Sequence, residues 1–269
     1  MLWIAPKYQS ILQAAAVDGY DALVSLSASR DLVEKQGRST GRYVIRACES
    51  PLSFYLKKYY RLPWWRHWFS SINSYPGPLE LANLQRAASV GVPVPEPIVA
   101  GAERWHDCLS MLAVRELVGY VPMHEFIPSL VRCRDTTQQR VMRRQLTTRL
   151  AEVARCLHAA RLFHCDFYLC HFFIRPPPVG AAEPLDLLLI DWTRLRQSRL
   201  ERWRIKDLAQ LLFSSDLPGI WRTDRLRFFK QYLGVRRLDF EGRRLLRRIQ
   251  WKAKLYHRHN ESLARKAAA

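Results

Sequence analysis

The stretch HCDFYLCHFFIRPPPVGAAEPLDLLLIDW, from His164 to Trp192, holds two acids in different settings. Asp191 ends an apolar run, and a run of that length behind a proline-rich turn predicts a buried strand. Asp166 lies about two dozen residues earlier, in a short histidine-flanked segment after a predicted helix, and His171 lies between the two acids. A carboxylate at the exit of a buried strand belongs at the mouth of a site rather than in a core.

The spacing of Asp166, His171 and Asp191 is typical of phosphoryl transfer. It follows the protein-kinase pattern HxDxxxxN, with histidine in place of asparagine, before a strand that ends in aspartate. The pattern supplies a base, a candidate ligand and an acid that can bind a metal.

Composition favours a globular protein with an anionic partner. The chain has 269 residues with nine Trp, eleven Tyr and eleven Phe, and its formal charge is +19. Such a charge suits nucleic acid, a membrane surface, a phosphorylated substrate or an acidic protein. The six scattered cysteines predict reduced thiols in the cytosol. No convincing signal peptide or apolar membrane span is expected, so any membrane association would be peripheral.

The first half of the sequence predicts an antiparallel sheet. The runs DLVEK, GRYVIRA and SFYLKKYY are rich in β-branched and aromatic residues and are separated by turn residues, whereas residues 1–30 predict an amphipathic helix or a lead-in. Between the first two runs, Gln36 to Arg42 contains Gly37 and Gly41. This segment could present backbone N–H groups to phosphate, and an ordinary hairpin is at least as good an interpretation.

A change in composition near residue 118 predicts a domain boundary. Before it, Tyr59 to Pro78 mixes aromatic and basic residues that suit a membrane interface or nucleic-acid stacking, or simply pack under the sheet. Leu79 to Ser89 predicts a helix, and Leu109 to Tyr120 a buried strand that ends in a hinge-like segment at Glu116–Gly119. We therefore expect an N-terminal lobe over 1–118 and a C-terminal lobe over 119–269.

The second half predicts helices. A long one spans about Thr137 to Leu162, another Glu201 to Ser215, and two more fill the chain from Trp221 to the end, where fifteen Lys or Arg stand against four Asp or Glu. Strands first and helices afterwards predict an α+β chain.

HCDFYLCHFFI, LLLIDW and RWRIKDLA, in this order and spacing, resemble the lipopolysaccharide kinase family. The resemblance is best over about residues 135–215. These heptose and Kdo kinases act on the inner core of lipopolysaccharide and have a bilobal protein-kinase-like fold, with a small antiparallel-sheet N-lobe and a mainly helical C-lobe. The resemblance therefore implies ATP and Mg²⁺ as cofactors, a core glycolipid as acceptor, and a cytoplasmic protein peripheral to the inner face of the inner membrane.

The resemblance also implies roles for single residues. Asp166 would orient the acceptor hydroxyl and accept its proton, while Asp191 and His171 would bind the metal. Lys57 would hold the nucleotide phosphates, with Glu80 as its ion-pair partner. The adjacent Lys58 is the competing choice. Strand alternation points the two side chains to opposite faces, so only one of them can hold the phosphates, and the spacing to the helix with Glu80 favours Lys57.

Other nucleotide contacts are expected at Glu116, Gly37 and Gly41. His164 and Asp207 are expected to support the catalytic loop rather than to act on substrate.

Two departures from the kinase pattern keep alternatives open. Cys165 replaces the arginine that often follows the catalytic-loop histidine, and no GxGxxG loop is present. A catalytically silent kinase fold is therefore the main alternative, and a protein kinase or a nucleic-acid-binding protein is less favoured. An anionic membrane surface and an acidic protein are further expected partners, whereas nucleic acid is not expected.

Overall fold

The computed structural model describes residues 1–35, 37–47, 51–61, 71–131, 136–176 and 185–268. The chain forms two compact units, the first made of Met1–Arg86 with Pro95–Val118 and the second of Ala87–Val94 with Gly119–Ala269. Part of the predicted aromatic and basic segment, residues 62–70, lies outside the described residues.

A six-stranded antiparallel sheet forms the first unit. Its strands are β1 Leu2–Ile4, β2 Arg30–Lys35, β3 Arg38–Ile45, β4 Leu52–Tyr59, β5 Pro97–Ala102 and β6 Ser110–Arg115. They lie in the order β1-β5-β6-β4-β3-β2, and each neighbouring pair is antiparallel. The helices of this unit are α1 Pro6–Ala14, α2 Tyr20–Ser25 and α3 Pro76–Ser89.

The alternation of β4 decides which of its side chains are in the core. Leu52, Phe54 and Leu56 are buried in one cluster with Leu12 of α1 and Leu23 of α2, while the residues between them are only half-buried. Side chains alternate across a strand, so Lys57 belongs to the opposite face from Leu56. The hydrophobic pattern of β4 therefore sets the side on which each lysine emerges.

The second unit contains short strands and longer helices. The strands are β7 Val121–Pro122, β8 Leu162–Phe163, β9 Phe172–Arg175, β10 Asp186–Leu189 and β11 Arg196–Gln197. The helices are α4 Met123–Leu130, α5 Thr136–Ala159, α6 Glu201–Ser214, α7 Arg222–Leu233 and α8 Phe240–Ala268. One sheet has the order β10-β9-β7, and β11 pairs with β8.

The structure corrects several predicted boundaries. The long helix ends at Ala159 rather than near Leu162, which lies in β8, because Arg161 takes a left-handed backbone conformation with φ of 58°. The N-terminal segment contains β1 besides its helices, since Met1 to Ile4 pairs along β5. The helix α4 is not predicted from the sequence, because Pro128 lies inside it.

Within the described residues, no helix combines the length and the apolar character needed to cross a bilayer.

Candidate active site

Asp166 lies in the loop between β8 and β9 of the second unit. Its side chain is about one-fifth exposed and faces the guanidinium of Arg194, with 3.6 Å between Oδ1 and Nη1. Its backbone carbonyl accepts hydrogen bonds from the Tyr168 amide at 2.9 Å and from Nδ1 of His171 at 2.7 Å. The carboxylate is thus held in an accessible position by a loop whose backbone is tied down.

The backbone of this loop is anchored by Asp207 of α6. The fully buried carboxylate accepts from the amides of His164 at 2.8 Å and of Cys165 at 2.9 Å, and lies 3.3 Å from Nε2 of His158. These contacts confirm the predicted supporting role of Asp207. They also hold Cys165 in its left-handed conformation, with φ of 63°, which an L-residue adopts at a cost of roughly 1–2 kcal/mol.

Two further α6 side chains support the same loop and are not predicted from the sequence. The Gln210 side-chain carbonyl accepts from the Phe167 amide at 3.0 Å, and the Ser214 hydroxyl accepts from the Leu169 amide at 3.0 Å. With Asp207 they follow the spacing i, i+3, i+7 that places side chains on one helix face. Polar residues at this spacing in an otherwise buried stretch of α6 are the signal that could have identified them.

His164 is a supporting residue, as predicted. It is fully buried, its Nε2 lies 3.1 Å from the carbonyl oxygen of Ile190, and its ring meets the buried Trp192 ring edge-on at 4.8 Å. Burial lowers the pKa of His164 from its ordinary value, so the ring is neutral in its core position. Its contacts join the loop of Asp166 to the strand that leads to Asp191.

The β9–β10 hairpin brings His171 and Asp191 together. The strands pair from Phe172 opposite Leu189, and the Ile190 amide donates to the His171 carbonyl at 3.0 Å. Nε2 of His171 lies 4.0 Å from Oδ2 of Asp191, whose Oδ1 accepts from the Thr193 hydroxyl at 2.9 Å. Asp191 itself is left-handed, with φ of 65°, as is common for strained functional turns.

The ring of His171 is oriented so that one nitrogen is hydrogen-bonded to the protein and the other can bind a metal. Its Nδ1 bonds the Asp166 carbonyl, which leaves Nε2 on the Asp191 side. Burial lowers the pKa of His171, but Cys170, the Asp166 carbonyl and Asp191 raise it, with a net value of about 9. A bound cation would therefore have to displace a proton from this ring.

The side chains of Asp191 and His171 could hold magnesium mainly through the Asp191 carboxylate. Among the described residues, no group of three or more His, Cys, Asp or Glu could hold a metal ion by itself. Magnesium is usually held by one or two carboxylates together with waters and substrate phosphates, so Asp191 fits this mode, and the imidazole of His171 is the softer donor beside it.

In the first unit, Lys57 of β4 pairs with Glu80 of α3. Nζ of Lys57 lies 2.6 Å from Oε1 of Glu80, and the Tyr59 hydroxyl donates to Oε2 at 3.2 Å. Glu80 is almost fully buried, while the Lys57 side chain remains about one-quarter exposed. The structure therefore joins the two residues that the resemblance paired.

Lys58 has a different environment. It is 5% exposed, and its Nζ donates to the carbonyls of Val24 at 2.5 Å and Leu26 at 3.1 Å. It also lies 5.1 Å from the ring centroid of Tyr43. Burial lowers the pKa of Lys58. Its contacts are those of a core-anchoring lysine.

The predicted glycine loop is shorter than expected. Gly37 lies in the turn of an ordinary hairpin between β2 and β3, with φ of 81°, as the alternative interpretation expected. Gly41 lies inside β3 opposite Leu56, so the phosphate-loop interpretation is wrong for Gly41. Pairing with β4 extends β3 through Gly41, and the turn-forming residues of this segment do not by themselves indicate that pairing. Oε1 of Glu116 lies 2.6 Å from Nε of Arg42, and the backbone amide of Glu116 donates to the backbone carbonyl of Ser53 at 3.0 Å.

Gly77 is a positioning residue that is not predicted from the sequence. A Cβ at this position would lie 2.1 Å from the carbonyl oxygen of Met111 in β6. Its amide donates to the Ser110 hydroxyl at 3.2 Å. Glycine therefore lets the first turn of α3 contact the sheet closely enough for Glu80 to reach Lys57.

Comparison with known proteins relates this chain to one family. The sequence profile of the "Lipopolysaccharide kinase (Kdo/WaaP) family" matches residues 21–232. This chain belongs to the lipopolysaccharide kinase family. The predicted family is thereby confirmed.

Individual relatives cover different parts of the chain. The lipopolysaccharide core heptose(I) kinase WaaP of Escherichia coli (strain K12) is 38% identical over 96 residues, which are 35% of this chain and 36% of the relative. WaaP of Pseudomonas aeruginosa is 37% identical over 93 residues, 34% of this chain and 35% of the relative. These matches span about one-third of the length of the curated relatives.

The match to a solved structure extends over nearly the full length of both chains. The solved structure of WaaP in complex with acyl carrier protein gives a TM-score of 0.69 at 25% identity and covers 98% of this chain and 99% of that one. Together with the antiparallel sheet and the helices, it confirms the predicted α+β protein-kinase-like fold.

Proposed function

We propose that this lipopolysaccharide kinase family protein is an ATP-dependent kinase that phosphorylates a sugar, heptose or Kdo, of the lipopolysaccharide inner core. The observation that carries the proposal is the grouping of Asp166, His171 and Asp191 on one anchored loop and hairpin. Phosphoryl transfer requires little covalent chemistry from the protein, but it requires an oriented hydroxyl and neutralised phosphate oxygens.

Asp166 orients the acceptor hydroxyl and accepts its proton. Its carboxylate is accessible, and its backbone carbonyl is fixed by His171. Arg194 lies beside the carboxylate and is itself mostly exposed, so it can turn toward an incoming anion. A positioned base of this kind contributes roughly 10²–10⁴-fold to the rate.

Asp191 holds Mg²⁺, with His171 as a further ligand or as a hydrogen-bond donor to phosphate. Such a cation would supply positive charge that neutralises the nucleotide phosphates. The hydrogen bond from Thr193 holds the Asp191 carboxylate, and the β9–β10 pairing keeps His171 next to it.

Lys57 contacts the α and β phosphates of ATP, and Glu80 keeps its ammonium in position. The buried carboxylate of Glu80 supports this, because it fixes the lysine through a 2.6 Å contact. Gly37 and Glu116 complete the proposed nucleotide contacts. Lys58 is disfavoured for this role, since its ammonium is engaged by two backbone carbonyls.

The proposed partners are anionic. The net charge of +19 favours a charged glycolipid acceptor and an anionic membrane surface, which would place the protein at the cytoplasmic face of the inner membrane. The structural neighbour forms a complex with acyl carrier protein, and we extend this acidic partner to this chain. An apolar cavity of about 680 Å³ in the second unit, lined by Leu150, Leu208, Phe229 and Ile249 among others, has the chemistry to take an acyl chain.

The direct test is phosphate transfer in vitro. Purified protein is given ATP, Mg²⁺ and dephosphorylated core oligosaccharide, and Asp166→Ala is compared with Asp216→Ala, an exposed aspartate after α6. We expect transfer by wild type and by Asp216→Ala, and a loss of at least about 10²-fold in Asp166→Ala. No transfer by wild type, or full transfer by Asp166→Ala, would refute the proposal.

A catalytically silent kinase fold is the alternative that the missing glycine loop favours. ATP that binds the folded state raises its stability by mass action. A magnesium-dependent rise in melting temperature with ATP is therefore expected of the kinase, and its absence would favour the silent fold.

A further inference from the structure

A groove between α6 and α8 in the second unit lies outside the residues proposed for phosphoryl transfer. Its volume is about 650 Å³. Its walls carry cations and aromatic rings: Arg202, Trp203, Ile205, Lys206, Arg247, Arg248, Trp251, Lys252 and Tyr256. We refer to it as the α6–α8 groove.

The charge of the α6–α8 groove is one-sided. Five of its nine lining residues are Lys or Arg, and no acid lines it among the described residues. Glu201, just outside the lining, pairs with Arg248 and neutralises one of the five. Arg247 is exposed and belongs to no described ion pair, so its guanidinium is available for two parallel hydrogen bonds to a carboxylate or phosphate.

The aromatic side chains of the groove differ in exposure. The Trp251 residue is 64% exposed, and Trp203 is only half-buried. Three cations lie over the Trp203 ring, at 4.3 Å (Arg196), 4.8 Å (Arg202) and 5.8 Å (Lys206) from its centroid. Tyr256 closes one end, with Lys252 at 5.4 Å from its ring. Flat rings between cations suit a ligand with apolar C–H faces and anionic substituents, which describes an acidic sugar.

The groove is connected to the catalytic loop through one side chain. Lys206 lines the groove, and its Nζ donates to the carbonyl of Cys165 at 2.7 Å. Cys165 directly precedes Asp166. The groove therefore borders the loop that carries Asp166.

We propose that the α6–α8 groove binds an anionic sugar of the acceptor saccharide, next to the sugar that is phosphorylated. The inference rests on the proposed sugar-kinase function, which it deepens by naming a recognition site. Trp251 stacks on a pyranose face, and Arg247 binds the sugar carboxylate. The groove selects acceptors that carry a negative charge at this position.

Two exposed groove residues and two matched controls test the proposal. Arg247→Glu is compared with Arg243→Glu, the same charge change on the same helix but outside the groove lining. Trp251→Ala is compared with Trp105→Ala, an exposed tryptophan of the first unit. Exposed substitutions of this kind change stability by only about 0.5 kcal/mol, so all four proteins are expected to fold.

Binding is measured separately from catalysis. Isothermal titration calorimetry uses delipidated inner-core oligosaccharide and its carboxyl-reduced, neutral counterpart. We expect each groove variant to weaken binding of the anionic saccharide at least about tenfold, or about 1.4 kcal/mol. In transfer assays, the KM for saccharide rises similarly while the KM for ATP does not change. The controls should match wild type, and the neutral saccharide should bind weakly to all proteins.

The outcomes separate the groove from the proposed activity. If wild type transfers phosphate but the groove variants bind and react like their controls, the groove proposal is overturned and the kinase stands. If wild type transfers nothing yet binds the anionic saccharide through Arg247 and Trp251, the groove stands and the kinase fails. Calorimetry with acyl carrier protein is run on the same proteins; if the groove variants lose only this binding, the groove belongs to that partner and the saccharide proposal is overturned.

Discussion

Replacing Asp207 with asparagine changes the acceptor that holds the catalytic loop while barely changing side-chain volume. In the native protein, Oδ1 and Oδ2 each accept one backbone amide, from Cys165 and His164. Asparagine keeps one acceptor oxygen and places an NH₂ group where the other was. One buried amide then faces a donor.

The expected cost follows from the burial of these groups. Asp207 is 0% exposed. A hydrogen bond to a charged group is worth about 1.5–3 kcal/mol, and an orphaned buried donor costs about 1–3 kcal/mol. We therefore expect Asp207→Asn to destabilise the protein by roughly 2–4 kcal/mol. Asp207→Ala orphans both amides, and its cost of roughly 3–6 kcal/mol reaches the lower range of ordinary domain stability, so asparagine is the informative variant.

Denaturant unfolding followed by tryptophan fluorescence measures the stability, and amide hydrogen exchange by mass spectrometry reports on the loop itself. Asp207→Asn should accelerate exchange at His164 and Cys165 and lower kcat, because Asp166 is no longer held in place. Asp216→Asn is the control, since its side chain is 68% exposed and its ion pair with Arg225 is worth at most about 1 kcal/mol. Unchanged exchange together with a stability within about 0.5 kcal/mol of wild type would refute the reasoning.

Four further substitutions have distinct expected results. Lys57→Met should weaken ATP binding at least about tenfold, as measured by calorimetry. Lys58→Met should mainly lower the free energy of unfolding, by about 1–3 kcal/mol, because it leaves two backbone carbonyls without their donor. Equal ATP affinity in the two variants would contradict this. Gly77→Ala should cost at least about 2 kcal/mol in denaturant unfolding, since its methyl group would lie 2.1 Å from a backbone carbonyl oxygen; wild-type stability would contradict it. The Arg42 hydrogen bond holds the pKa of Glu116 below its ordinary value, so Glu116→Gln should destabilise the protein at neutral pH, with the difference disappearing as pH falls below about 4; a difference that persists in acid would exclude this origin.

Elements with a strong local pattern could be predicted from the sequence. The strands β3 and β4 have runs of β-branched and aromatic residues, and β10 has the apolar run that ends at Asp191. The helix α6 was predicted within one residue of its end. Periodicity and composition are properties of a single segment, so they are readable without knowing its neighbours.

Features that depend on a partner segment could not be predicted in this way. The strand β1 has three residues and exists because β5 pairs with it. The strand β3 begins at Arg38, three residues before the predicted run GRYVIRA, because Arg38 to Thr40 pair with both β2 and β4. The need for glycine at Gly77 is set by the Met111 carbonyl, which is 34 residues away in the sequence.

The helix α6 shows both the predictable and the unpredictable kind of feature. Its sequence predicts a helix, but only the tertiary structure shows that Asp207 and Gln210 satisfy the backbone of the catalytic loop. Lys206, the residue before Asp207, donates to the same loop and also lines the α6–α8 groove. An anion in the groove would compete with the Cys165 carbonyl for that ammonium, so acceptor binding and the conformation of the loop share one hydrogen-bond donor. Because Asp207 holds the Cys165 amide independently of Lys206, the loop would remain anchored when the lysine turns toward the saccharide.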